Sequence, residues 1–224
     1  WYIATTSKND GIPADVRGLT LSFTYNNIKS LEALFSEHPG EIACVIMEPV
    51  SLETPEEGFL EQVKEITHKN GAVLIFDEVV TGFRFSLGGV QQLFEVIPDL
   101  SCFGKAMGNG LPIAALVGKK ELMGLFDEVF FSTTFGGETA SIASAIATID
   151  YMQHQKVIDR LWHFGKLLKS GVLKQIEAKD LQDHFSIIGY PVRSFLNIKN
   201  DASLKIKTLF QQECVRRGLL FTGA

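Results

Sequence analysis

Residues 73–85, VLIFDEVVTGFRF, and residues 98–112, PDLSCFGKAMGNGLP, decide the fold of this chain. Each holds a short apolar run, residues 73–76 and residues 100–103, that reads as a buried strand. Each run ends directly in charge: Asp77 and Glu78 follow the first, Gly104 and Lys105 the second. Charges are expensive to bury unless paired. A carboxylate and an amine delivered to the ends of neighbouring strands therefore predict a site.

Working outward, residues 42–47 form another continuous apolar run, closed by Glu48-Pro49. A helix with the apolar face Ile28, Leu31, Leu34 and Phe35 precedes it, capped by Asn26 or Asn27. A second helix, around Leu60, Val63 and Ile66, is closed by Asn70-Gly71. A loop and helix around Val90, Leu93 and Phe94 separate the two opening strands, and residues 113–117 read as a further strand. Apolar runs without alternation, separated by amphipathic helices, indicate an α/β fold: a mostly parallel sheet with helices on both faces. The first twenty or so residues read as loop, broken by Gly11, Pro13 and Gly18.

Downstream, FFSTTFGGE (residues 130–138) opens a helix of small residues, which permit close packing. A long helix carrying Val157, Leu161, Phe164, Leu168 and Ile176 follows. Past Lys179 come strands at residues 185–188 and 194–198 and a helix over about 202–217, part of a small αβ C-terminal domain.

The composition narrows the functions. An apolar fraction of 46% and a charged fraction of 21% are those of an ordinary globular protein. The net charge is −5 and the basic residues are scattered, so no nucleic-acid partner is expected. No apolar run approaches the length of a membrane span, and WYIATTSKND has no signal-peptide pattern. The simplest expectation is a cytoplasmic protein with no membrane partner. Cys44 and Cys102 lie within apolar runs and are expected to be buried, reduced thiols. The opening Trp1-Tyr2 and the apolar closing residues 218–224 predict a piece of something longer.

Lys105 stands in GKAMGNGLP, among glycines that let backbone turn sharply and approach a ligand. A lysine held near cations and out of water loses its proton readily and becomes a Schiff-base nucleophile. Paired with a carboxylate that holds a ring-nitrogen proton, it makes the combination used by pyridoxal-phosphate enzymes. The P-loop order is wrong, because Lys105 precedes its glycines, and the third glycine of a dinucleotide fingerprint is missing after Gly108 and Gly110. A nicotinamide oxidoreductase therefore has the fold class without the motif. His38, His68, His154, His163 and His184 share no metal-ligand spacing, and no metal is expected. No G-x-S-x-G elbow is present.

IFDEVVTGFR (residues 75–84), with the lysine of FGKAMGNGLP 28 positions after its aspartate, resembles the class III pyridoxal-phosphate aminotransferases. MEPV (residues 47–50) and TTFGGE (residues 133–138) match the same family in the same order, and the likeness is nearest to its glutamate-1-semialdehyde aminomutase branch. The resemblance implies the fold type I of pyridoxal-phosphate transferases. Residues 1–150 would be the central part of the cofactor-binding large domain, and residues 151–224 a linking helix and an incomplete small domain. It also implies pyridoxal 5'-phosphate as cofactor and small-molecule amino donors and acceptors as substrates. Lys105 would hold the cofactor as a Schiff base and move a proton. Asp77 would keep the pyridine nitrogen protonated, and Val79 would pack on one ring face. Thr134 would bind the phosphate of a neighbouring subunit's cofactor, which makes the site a property of a homodimer. The Gly-Ser-rich phosphate loop and the stacking aromatic of the family are absent, as are its last strand and helix. The resemblance thus predicts a fragment of an enzyme roughly twice this length. Transaminase and aminomutase share these residues, and a non-catalytic dimerising fragment is a third reading.

Overall fold

The computed structural model describes residues 2–220; Trp1 and residues 221–224, on which part of the reading of the two ends rests, lie outside the described residues. In chain order the helices are α1 (Ala14–Arg17), α2 (Ile28–Glu37), α3 (Phe59–Lys69), α4 (Val90–Leu93), α5 (Lys120–Met123), α6 (Thr139–His154), α7 (Val157–Ala178) and α8 (Lys205–Arg216). The strands are β1 (Cys44–Met47), β2 (Val73–Asp77), β3 (Leu100–Phe103), β4 (Ala115–Gly118), β5 (Phe185–Tyr190) and β6 (Arg193–Ile198).

Strands β1 to β4 form one sheet in that order, and β5 and β6 form a separate hairpin. The pairs β1–β2 and β2–β3 are parallel, joined through α3 and α4, whereas β4 runs antiparallel to β3. The reversal follows from the connection. Parallel neighbours need a crossover of a dozen or more residues, usually helical. Residues 104–114 hold only a 3-10 turn, Lys105–Gly108, so the chain returns beside the strand it left.

Helices α2 and α3 cover one sheet face: Leu31, Phe35, Phe59, Leu60 and Val63 share a core with Val45, Met47, Leu74 and Phe76. Full burial of such side chains contributes about 1.5–3 kcal/mol each, which orients both helices. Local signals fix their ends. Asn27 accepts the Ser30 N–H at 3.3 Å at the start of α2, and Gly71 takes a positive φ of 72° after α3. Residues on the alternate positions, Ile46, Ile75 and Cys102, are only half-buried. Cys44 corrects the sequence reading: it is exposed, because β1 is an edge strand of the described sheet.

Helix α6 lies against the turn after β3. Ser144 Oγ donates to the Gly108 carbonyl at 2.9 Å, and Ala145 packs with Phe103 and Met107. Small residues allow this approach. Helix α7 then carries the chain to the hairpin, whose Val192 and Tyr190 join the large core beside Trp162.

At the amino edge of the sheet, the buried Asp99 ties three elements together. Its carboxylate accepts the Leu74 N–H at 2.7 Å and meets His68 Nε2 at 2.9 Å and Lys119 Nζ at 2.6 Å. Burial alone would raise its pKa, but the bonds to Lys119, Leu74 and His68 outweigh burial and hold it below the usual range. The stabilisation is therefore present above the unfolded value of about 3.9 and lost as pH falls through the lower folded value. Asp99→Asn is expected to cost about 2 kcal/mol at neutral pH. Urea unfolding across pH should show its deficit against the parent closing below about pH 4; a deficit independent of pH would refute an ionised Asp99.

Candidate active site

The parallel register of β2 and β3 sets Asp77 opposite Cys102, and Lys105 follows three residues beyond Cys102. Neighbouring strands lie about 4.8 Å apart, so the carboxylate and the lysine emerge at the same carboxyl edge, where open α/β sheets bind ligands. Asp77 is half-buried, and its Oδ1 accepts the Val79 N–H at 3.1 Å, a local turn that folds Val79 back over the strand end. Burial, with the Asp77 carboxylate nearby, pushes the Cys102 thiol up, so it stays protonated.

Val79 abuts the residue before the lysine: a Cβ built on Gly104 would lie 3.5 Å from Val79 Cγ1 and 3.4 Å from the Ile113 carbonyl. Lys105 itself is exposed and has a φ of 44°. A left-handed backbone on a long-chain residue costs of the order of 1 kcal/mol and persists only where surroundings impose it. Here the Met107 N–H bonds the Gly104 carbonyl at 3.1 Å, and Ser144 grips Gly108 from α6. Gly108 must be small, because a Cβ there would stand 2.7 Å from Ile113 Cγ2. Strain of this kind concentrates at functional positions.

Thr134 comes from a different segment of the chain. It lies in the exposed turn before α6. Glu138 closes that turn by accepting the N–H groups of Ala140 at 2.8 Å and Ser141 at 2.6 Å. Bonds from Ser141 and Ala140 hold its carboxyl below the usual range. Phe130, Phe131 and Phe135 flank Thr134 and are 95%, 68% and 73% exposed.

The sequence leaves Glu78, Glu48, Glu53 and Arg84 without settled roles, and the structure separates them. Glu53 is exposed. Glu48 pairs with Arg193 Nη1 at 3.0 Å, and Arg84 Nη1 donates to the Val192 carbonyl at 3.0 Å. Glu78 is fully buried on the face opposite Asp77. Its carboxylate accepts the Thr81 hydroxyl and the N–H groups of Val90 at 2.9 Å and Gln91 at 2.8 Å. Those N–H groups are free ends of α4, so a loop of a dozen residues is pinned to the residue after Asp77. Burial pushes the Glu78 pKa up against these bonds. A threonine three positions after Glu78 and the Gly88-Gly89 pair were the signals available for this role.

The arrangement offers an anionic hydrogen-bond acceptor, an apolar cover and an amine at one strand edge. That set suits a flat heteroaromatic ring with a basic nitrogen and a carbonyl substituent. Among the described residues no group of three or more His, Cys, Asp or Glu side chains could hold a metal.

Comparison with known proteins agrees. The profile described as Aminotransferase class-III matches residues 8–198, and the chain belongs to that family. It is 35% identical to the 3-aminobutyryl-CoA aminotransferase of Cloacimonas acidaminovorans (strain Evry), over 98% of this chain and 55% of that protein. It is 37% identical to the glutamate-1-semialdehyde 2,1-aminomutase of Methanococcoides burtonii, over 84% of this chain and 46% of that protein. Among solved structures, the PLP internal aldimine form of the Sphingopyxis sp. MTA144 FumI protein superimposes with a TM-score of 0.88 at 26% identity, covering 94% of this chain and 52% of FumI. The chain thus spans about half the length of the curated relatives it matches.

Removing the Glu78 carboxylate strands one hydroxyl and two backbone donors, so Glu78→Ala is expected to cost about 3 kcal/mol in denaturant unfolding. Gly89→Ala should also destabilise, since its φ is 82° and its Cβ would lie 2.6 Å from the Glu78 carboxyl carbon. The double variant should lose less than the sum, because the clash vanishes with the carboxylate; strict additivity would rule out the contact.

Proposed function

We propose that this chain carries the lysine-bearing part of the active site of a pyridoxal-phosphate-dependent aminotransferase. The observation that carries the reading is the delivery of Asp77, Val79 and a strained Lys105 to one edge of two parallel strands. The residues fit the cofactor: Asp77 would hold the ring nitrogen, Val79 one ring face, and Lys105 the carbonyl carbon. When bound, pyridoxal phosphate supplies a protonated ring that accepts the electron pair left when a proton is removed from the substrate carbon.

The chain's own groups do the rest. Asp77, half-buried at the strand end, would accept a hydrogen bond from the ring nitrogen and favour its protonated form. Val79 presents methyl groups and excludes water from the ring face. The Lys105 amine would bind the cofactor's carbonyl carbon and, when free, would serve as the base for the proton on the substrate carbon. Thr134 is assigned to the phosphate of a partner subunit's cofactor in a homodimer with shared sites. The exposed phenylalanines around it support that assignment. The division near residue 150 is read as the boundary between the large-domain and small-domain portions. A cytoplasmic setting is inferred from the three free cysteines. No helix among the described residues is long and apolar enough to cross a membrane.

An aminomutase reading is favoured by one observation, the 37% identity to the glutamate-1-semialdehyde aminomutase. Product analysis with an amino aldehyde, compared with an amino donor plus keto acid, separates the two.

Borohydride reduction after addition of pyridoxal phosphate should fix the cofactor's mass on the peptide that contains Lys105. Lys105→Ala should abolish that label and the visible absorbance together, and Asp77→Asn should weaken cofactor affinity at least tenfold, about 1.4 kcal/mol. Labelling spread evenly over surface lysines would overturn the assignment.

A further inference from the structure

We propose that the turn of the β5–β6 hairpin is a clamp on the two loops leaving the carboxyl ends of β1 and β2, and that Arg193 is the positioning residue that carries it. Four hydrogen bonds and two ring contacts define the clamp. Arg193 Nη1 donates to Glu48 Oε2 at 3.0 Å and to the Val50 carbonyl at 3.1 Å, both beyond the end of β1. Arg84, beyond β2, donates in the other direction to the Val192 carbonyl. The Trp162 indole N–H bonds the Phe85 carbonyl at 2.9 Å. The ring of Phe85 meets Tyr190 edge-on at 5.3 Å and Trp162 at 6.2 Å.

These contacts are not surface decoration. The Arg193 side chain is 15% exposed, with its guanidinium 5.7 Å from the Phe195 ring centre. Val192 is 7% exposed and shares the core with Val50 and Phe85. One guanidinium nitrogen thus serves a carboxylate and a neighbouring carbonyl while the flat group lies near a ring. Behind the turn, α7 leaves no slack. A Cβ on Gly165 would fall far inside van der Waals contact with the Pro191 backbone, and Lys169 Nζ donates to the Gly189 carbonyl.

The register connects the clamp to the site. Met47 pairs with Phe76, so Glu48 and Asp77 are the next residues along adjacent strands. Arg193 therefore holds the residue beside Asp77, and Arg84 and Phe85 hold the loop that starts at Val79. The consequence for cofactor geometry rests on the aminotransferase reading; the clamp itself does not.

Amide hydrogen exchange on this chain tests it without cofactor, so a failed lysine-labelling experiment leaves the result readable. Arg193→Met and Gly165→Ala should each speed exchange about tenfold in peptides covering residues 48–54 and 79–86. Peptides of α2 and α3 should stay unchanged. Arg193→Lys, which keeps the positive charge and a donor nitrogen on a shorter, non-planar head, should restore part of the protection in residues 48–54. In a Trp1→Phe background, Gly165→Ala should shift the Trp162 emission to the red. Faster exchange confined to residues 185–198 would overturn the proposal. So would a uniform rise across the chain, which would make the turn a general support and not a clamp on two loops.

Discussion

The parallel pairing of β2 with β3 is the constraint on which the rest depends. Because both strands point the same way, whatever follows each of them emerges at the same edge. Asp77 and Lys105, far apart in the chain, are thereby made neighbours without any loop having to reach. The core that α2 and α3 form over Leu74 and Phe76 fixes the strand that bears Asp77. A one-residue slip would exchange the buried Phe76 for Asp77, at the combined cost of an exposed aromatic and a buried charge. The register is thus protected by the same residues that define the site.

Two carboxylates stand side by side in sequence and have opposite duties. Asp77 faces the open edge, and Glu78 faces inward and is spent on the frame. The alternation of the strand makes the distinction. Glu78 binds the start of α4, α4 ends the loop that carries Arg84 and Phe85, and those residues meet the hairpin. A continuous set of contacts therefore runs from the residue next to Asp77 to the β5–β6 hairpin.

Much of this was legible in the sequence. The strands of the first sheet and the charges at their ends could be read directly, since apolar runs and strand-end acids are local features. The antiparallel course of β4 was not read, although the short, helix-free connection contained it. The edge position of Cys44 was out of reach, because an apolar run looks alike in a central and an outer strand. Arg193 was also missed: its partners Glu48 and Val50 lie more than a hundred residues away, and nothing local marks the pairing. Lys105 was legible as a chemical group, but its left-handed backbone emerges only from the packing of α6 on the turn.

The antiparallel return of β4 also has a kinetic side. The loops that bring β1 to β2 and β2 to β3 must close over a helix and its flanks, a non-local step that pays its entropy before contacts repay it. The turn at residues 104–114 is much shorter than the connections at residues 48–72 and 78–99. The lysine-bearing hairpin is therefore the part of the sheet with the least chain entropy to lose on closing.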